Sequence, residues 1–170
     1  MKIAWSQLVK EVEGTELCHH SEVMITRLGY DSRLISLWEG LLFVALKSAR
    51  ADGHDFIPEL YARGVRCFVV ERPIEVKAYP EANIFLTPSS RACLQDLGRW
   101  AVAHHSIPLI AITGSNAKTL VKEWLATLLS EKFVVAKSPR SFNSQIGVPL
   151  SVWDLSAHHQ IGIFEAGISQ

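Results

Sequence analysis

The chain has 170 residues, 48% hydrophobic and 20% charged, a soluble, core-forming composition with room for one ordinary domain or two small ones. Lys plus Arg and Asp plus Glu balance at 17 each, so no global field favours nucleic acid or an anionic membrane, although a local basic site is allowed. Three scattered cysteines, Cys18, Cys67 and Cys93, with no CxxC or Cys/His spacing, argue against a disulfide framework and a zinc site and fit a reducing compartment.

The opening stretch is amphipathic and interrupted by charge, unlike a signal peptide. Trp5, Leu8, Val9 and Val12 recur at helical spacing and end at Gly14, so a helix is expected there with Trp5 in its core face. Residues 22–28 read as a strand, followed by the polar turn Gly29-Tyr30-Asp31-Ser32-Arg33. The continuous apolar run at residues 41–46 suits a buried strand and is far too short to span a bilayer; a cytoplasmic protein is expected. Residues 56–63 read as a short helix closed by Gly64, residues 65–70 as a β-branched strand and residues 84–86 as a third short strand. Strand, helix, strand in that order points to α/β layering with parallel pairs.

A boundary is expected where Thr87, Pro88, Ser89 and Ser90 cluster, giving domains at residues 1–87 and 88–170. Beyond it, Cys93, Leu97, Trp100 and Ala101 are spaced for one face of a helix over residues 90–105. Pro108 introduces a strand, residues 109–112, that is read as buried. The next helix is patterned by Leu120, Val121, Trp124, Leu125, Leu128 and Leu129, with Trp124 read as helix core. Residues 133–136 and 161–164 are further strand candidates. The second α/β unit ends just after a strand with no helix to cover it, which reads as part of a longer protein.

The strongest chemical signal is the loop Thr113-Gly114-Ser115-Asn116-Ala117, set between that strand and a helix opening at Lys118-Thr119. Such a loop turns backbone N–H groups inward beside the positive end of the helix dipole. Lys118 is then expected on the β- and γ-phosphates of ATP, and the Thr119 hydroxyl on Mg²⁺. The strict pattern wants glycine where Ile112 and Ala117 stand. If residue 117 needs a positive φ, alanine there costs about 1–2 kcal/mol and weakened ATP binding is expected. The alternative is an ordinary strand-to-helix turn capped by Ser115 or Asn116.

These residues together resemble the Mur ligases, ATP-dependent amide-bond-forming enzymes of peptidoglycan synthesis, whose loop usually reads T-G-[ST]-N-G-K-T. Asp31-Ser32-Arg33, residues 40–46 and Asp52-Gly53-His54-Asp55-Phe56 resemble the family's uridine-binding N-terminal domain. Phe142-Asn143-Ser144-Gln145-Ile146-Gly147 resembles the stretch after the ATP loop, and Phe164-Glu165-Ala166-Gly167-Ile168-Ser169 the segment whose glutamate binds magnesium. The resemblance implies a small α/β UDP-binding domain followed by the first part of a P-loop-type, parallel-sheet α/β ATP-binding domain, with C-terminal domains absent from this chain. Within the family it looks most like the branch that adds D-alanyl-D-alanine to a UDP-N-acetylmuramoyl-tripeptide. Val121-Lys122-Glu123-Trp124-Leu125 and the Glu-Ala-Gly-Ile-Ser wording also resemble a subgroup fused to an alanine racemase, of which nothing is present here.

By that resemblance Thr113 to Thr119 bind ATP, Lys118 and Glu165 are catalytic, Thr119 and Glu165 hold Mg²⁺, and Ser32, Arg33 and Asn143 touch substrate. The bland alternatives are a solvated or capping Glu165, an Asn143 bonded to its own backbone and a salt-bridged surface turn at Ser32-Arg33. His54 reads as a structural hydrogen-bonder. The implied chemistry proceeds through an acyl phosphate, and this chain alone is expected to bind without turning over. Two other functions stay open: a non-catalytic UDP-sugar module with a degenerate ATP loop, and an unrelated P-loop kinase or ATPase.

Overall fold

The computed structural model describes residues 1–167; Ile168 and Ser169, the end of the glutamate-bearing segment, lie outside the described residues. The chain divides into two compact units, one of Lys2–Asp96 and one running from Leu97 onward together with Met1. The helix Ser90–Ala103 crosses that division.

The first unit runs β1 (Ile3–Ala4), α1 (Trp5–Glu11), β2 (Thr15–Cys18), β3 (Met24–Ile25), β4 (Arg27–Gly29), β5 (Leu41–Val44), α2 (Ile57–Ala62), β6 (Cys67–Val70) and β7 (Asn83–Leu86). Five strands form one sheet in the order β2-β7-β6-β5-β4. β4 through β7 are parallel, and β2 joins antiparallel to β7. All four residues of β5 and of β6 are buried, as the unbroken apolar runs demand of strands covered on both faces. Phe43 and Phe68 meet edge to face, with ring centroids 6.4 Å apart, and Ile57 and Leu60 of α2 join the same core. Trp5 is fully buried, as its helical spacing predicts.

Two differences from the sequence reading have simple causes. The single strand expected at residues 22–28 is two: β3 pairs with β1, whereas β4 pairs with β5. The Gly40 carbonyl accepts from the N–H groups of both Thr26 and Arg27, where the segment changes partner. β2 was not anticipated, because an edge strand reading Thr-Glu-Leu-Cys and half exposed carries none of the apolar signal of its neighbours.

The second unit holds the C-terminal half of α3 (Ser90–Ala103), then β8 (Leu109–Ile112), α4 (Lys118–Leu129), β9 (Val135–Lys137), α5 (Gly147–Trp153) and β10 (Ile161–Glu165). Its sheet is parallel with β10 in the middle, in the order β8-β10-β9. Ala136, Val152, Leu155 and Phe164 form its core, and Trp153 lies against Trp100 at 6.0 Å between ring centroids. α5 escaped the sequence reading because Gly147 and Pro149 look like helix breakers. Pro149 sits in the first turn, where no intrahelical N–H bond is lost.

Two burial expectations are corrected here. β8 is an edge strand and only partly covered, with Leu109 37% exposed. Trp124 is 64% exposed, along with Leu120 and Leu128 on the same stripe of α4. The helix turns its opposite face, Lys122 and Ala126, into the protein. Sequence pattern identified the helix but picked the wrong face, because a lysine is the residue that α4 buries.

Asn83 closes the first unit's polar accounts. Its side-chain oxygen accepts from the N–H groups of His20 and Ser21, and its amide donates to the Ser21 carbonyl at 2.7 Å. Asn83→Ala strands these partly buried groups and is expected to cost about 2 kcal/mol, read as a lower urea midpoint. Burial pushes the thiols of Cys67 and Cys93 up to about 12. In the native chain at pH 8 only Cys18 should therefore react quickly with an aromatic disulfide reagent, and all three after unfolding.

Candidate functional site

Parallel register sets up the site. Glu165, the last residue of β10, stands opposite Ile112, the last residue of β8, so its carboxylate is level with the point where the loop Thr113 to Ala117 leaves the sheet. Gly114 takes φ 138, a backbone that favours glycine. Ala117 takes φ 60 and ψ 7 in the left-handed region, which is the strained conformation that the sequence made conditional.

That residue is also the N-cap of α4, and no side chain caps the helix. The first intrahelical bond runs from the Val121 N–H to the Ala117 carbonyl. Ser115 and Asn116 thus do not fill the capping role that the ordinary-turn alternative required. The N–H groups of the first helical turn are left for an outside acceptor, beside the positive end of a 12-residue helix. Lys118 folds back over the loop, its ammonium donating to the Gly114 carbonyl at 2.6 Å.

Behind the loop, the Thr119 hydroxyl donates to Glu165 Oε2 at 3.1 Å. Glu165 is fully buried, its backbone N–H donating to Ser138 Oγ at 3.2 Å. Its other oxygen, Oε1, lies 3.0 Å from the ammonium of Lys122 but has no hydrogen bond aimed at it. The sequence reading did not single out Lys122 for a role. Its ammonium donates to the carbonyls of Ser138, at 2.8 Å, and Arg140, and Glu123 Oε1 lies 3.3 Å away. The available signal was its place one helical turn after Lys118; what hid it was the expectation that α4 buries its apolar face. Glu123 is held below the usual carboxylate range, first by its hydrogen bond from Lys137 and then by that from Lys122.

Asn143 comes to the same end of the sheet. Its carbonyl accepts from the Gly167 N–H at 2.7 Å, and the Ala166 N–H bonds to the Ile112 carbonyl. A Cβ on Gly167 would stand 2.7 Å from that Asn143 oxygen, so the segment after Glu165 passes this loop only as glycine. Ser32 and Arg33 belong to the first unit. There Asp31 caps a short 3-10 turn, Ser32 is buried, and the Arg33 guanidinium forks onto the Asp31 carboxylate at 2.9 and 2.7 Å. That hydrogen-bonded Arg33 holds the Asp31 carboxyl below its usual range. Arg33 itself projects into solvent, its side chain 85% exposed. His54 is buried, its Nδ1 paired with Asp52 and its Nε2 accepting from the Glu71 N–H, the structural role that the sequence suggested.

No cluster of three His, Cys, Asp or Glu suited to a metal occurs among the described residues. The donors at the loop, one hydroxyl and one carboxylate, fit a small hard cation that takes its remaining ligands from water and phosphate. The buried Oε1 with no donor aimed at it agrees with that fit.

A strand-loop-helix of this kind, with an acidic residue ending the neighbouring parallel strand, belongs to a parallel-sheet α/β protein, and family models make the class specific. The Mur ligase family, catalytic domain, matches residues 24–129, and the Mur ligase middle domain matches residues 112–170. The chain belongs to the Mur ligase family. Among curated relatives, the UDP-N-acetylmuramoyl-tripeptide–D-alanyl-D-alanine ligase of Treponema pallidum is 29% identical over 100% of this chain and 39% of its own length. Among solved structures, MurF from Acinetobacter baumannii superposes with a TM-score of 0.84 at 30% identity, covering 97% of this chain and 36% of that one. MurF ligase from Thermotoga maritima, solved in complex with ADP, gives 0.74 at 33% identity over 86% of this chain and 33% of that one. The chain therefore spans little more than a third of the length of the proteins it matches.

Ala117→Gly relieves the left-handed backbone at a cost in unfolded-state entropy. It is expected to stabilise the fold by about 0.5–1 kcal/mol and to tighten nucleotide binding, as read by denaturant unfolding and calorimetry. Unchanged nucleotide affinity would show that the alanine methyl does not crowd the site.

Proposed function

We infer that this chain is the UDP-binding unit and the opening half of the ATP-binding unit of a ligase that joins D-alanyl-D-alanine to a UDP-N-acetylmuramoyl-tripeptide. The observation that carries the reading is the convergence of Lys118, Thr119 and Glu165 on one uncapped helix start. Family membership and the names borne by its relatives supply the substrate class.

In this reading the Thr113–Thr119 loop cradles the triphosphate. Lys118 exchanges the Gly114 carbonyl for phosphate oxygens, and the loop and helix N–H groups supply the rest of the cradle. Thr119 and Glu165 would hold Mg²⁺, which when bound would neutralise phosphate charge. The tripeptide's terminal carboxylate takes that phosphoryl group, releasing ADP and forming an acyl phosphate. The amine of D-alanyl-D-alanine then attacks the acyl carbon and expels phosphate. Lys118 offsets charge that builds on the transferred group, so the chain's contribution is positioning and electrostatics.

Asn143 sits beside the Glu165–Gly167 segment and fits a role in placing substrate. Arg33, solvent-exposed on its Asp31 fork, fits the diphosphate of the UDP group. The buried Ser32 fits a role in shaping that turn. No helix of the described residues is long and apolar enough to cross a membrane, and the reading places the reaction in the cytoplasm. Residues 1–170 by themselves are expected to bind without releasing ADP.

Titration calorimetry of Mg-ATP against this chain and its Lys118→Ala variant tests the reading. Binding that weakens about tenfold or more in the variant is expected from the loss of a charged hydrogen-bond donor. Equal affinity in both would remove the loop from the mechanism. Absence of Mg-ATP binding, with retained affinity for a UDP-sugar, would instead make the chain a UDP-sugar module.

A further inference from the structure

A lysine with its ammonium wholly out of water is expensive unless it has partners, and Lys122 is such a lysine. It does not touch the loop. Instead, its ammonium is held by the carbonyls of Ser138 and Arg140 at the end of β9, with Glu165 Oε1 at 3.0 Å. Arg140 is one of only two non-glycine residues with positive φ among the described residues, at φ 50, and Ala117 is the other. Both left-handed residues thus serve this cluster, one shaping the loop and one presenting a carbonyl to Lys122. Strained backbone that gathers at one place is a mark of function rather than packing alone.

We propose that Lys122 is a positioning residue for the metal-binding carboxylate. Anchored to the backbone of the turn after β9, it fixes where Glu165 Oε1 stands, so that the carboxylate and the Thr119 hydroxyl face the loop as a preformed pair. The arrangement divides labour along α4. Lys118 works on the open side of the loop, and Lys122, one turn later, works from beneath through Glu165. No aimed hydrogen bond joins Lys122 to Oε1; the pair is coulombic, so the oxygen keeps its lone pairs for a cation. This inference rests on the nucleotide-site reading above and adds to it a residue that touches neither nucleotide nor metal.

The test compares ATP affinity with excess Mg²⁺ and with chelator, by calorimetry, for this chain and its Lys122→Met variant, which keeps the unbranched stem of the side chain and removes the charged end. Metal-free ATP affinity should stay within about twofold, while the gain from Mg²⁺ falls about tenfold or more, as outer-shell partners of metal ligands typically do. A merely structural lysine would lower the melting temperature and leave the Mg²⁺ gain intact; that result, or a larger gain, overturns the proposal. Should Lys122→Met fail to fold, the Lys122→Met/Glu165→Gln double variant decides. Recovery of folding shows that an unpaired buried carboxylate was the fault and supports the pairing, whereas continued failure assigns Lys122 to packing. Wild-type chain that binds no Mg-ATP at all overturns the nucleotide-site reading and this inference with it, an outcome separate from a change confined to the variant.

Discussion

A carboxylate has been taken out of water at the end of the central strand of a three-stranded parallel sheet, and the second unit is arranged around that constraint. Glu165 stands there because β10 pairs in register with β8, residue 165 against residue 112. The same register delivers the loop that follows Ile112 to the same end of the sheet. A buried carboxylate needs partners, and α4 supplies both: the Thr119 hydroxyl and the ammonium of Lys122; the Ser138 hydroxyl, just after β9, accepts from the Glu165 backbone N–H. The apolar core of Ala136, Val152, Leu155 and Phe164 then fixes the strands that carry these groups. Packing and polar pairing are coupled here, so a shift of β9 or α4 would disturb the carboxylate directly.

Backbone strain follows the same geometry. The loop must turn from an extended strand into a helix within five residues, which forces Ala117 into the left-handed region. The turn after β9 must present a carbonyl to an ammonium beneath it, and Arg140 adopts the same region to do so. A residue without a side chain at position 117 would meet less resistance, yet the chain keeps alanine. The uncapped start of α4 leaves polar groups open in the same place. Strain and open donors meet at one spot, a combination that supports the ligand-binding role proposed for this loop.

The first unit shows a different economy of means. Two fully buried apolar strands, β5 and β6, form the middle of its sheet, and much of its polar pairing is done around them. Asn83 ties the residue 20–21 turn to β7, and the Asp52–His54 pair ties the segment before α2 to the Glu71 backbone. Asp31 and Arg33 pair with one another at the surface. Arg33 is largely exposed in this pair, and a surface ion pair contributes little to stability by itself.

Much of this protein was legible without coordinates. Residues 41–46 and 65–70 announced buried parallel strands because apolar runs of that length have few other uses, and the α/β class followed. The loop at Thr113 to Thr119 and Glu165 were singled out by residue order and by resemblance to the family, and the structure brings Thr119 and Glu165 within hydrogen-bond distance. Sequence failed where the deciding partner is distant along the chain. It put Trp124 in the core because periodicity ranks residues by hydropathy, whereas α4 turned Lys122 inward toward the carbonyls of Ser138 and Arg140 and the carboxylate of Glu165. It missed β2, whose only strand-like property is an edge to pair with. The residue types present, and hence the chemistry on offer, were determined by the sequence alone. That α4 buries Lys122, beside the carboxylate of Glu165, was decided by tertiary structure, because burial of a charge depends on partners that only the fold brings within reach.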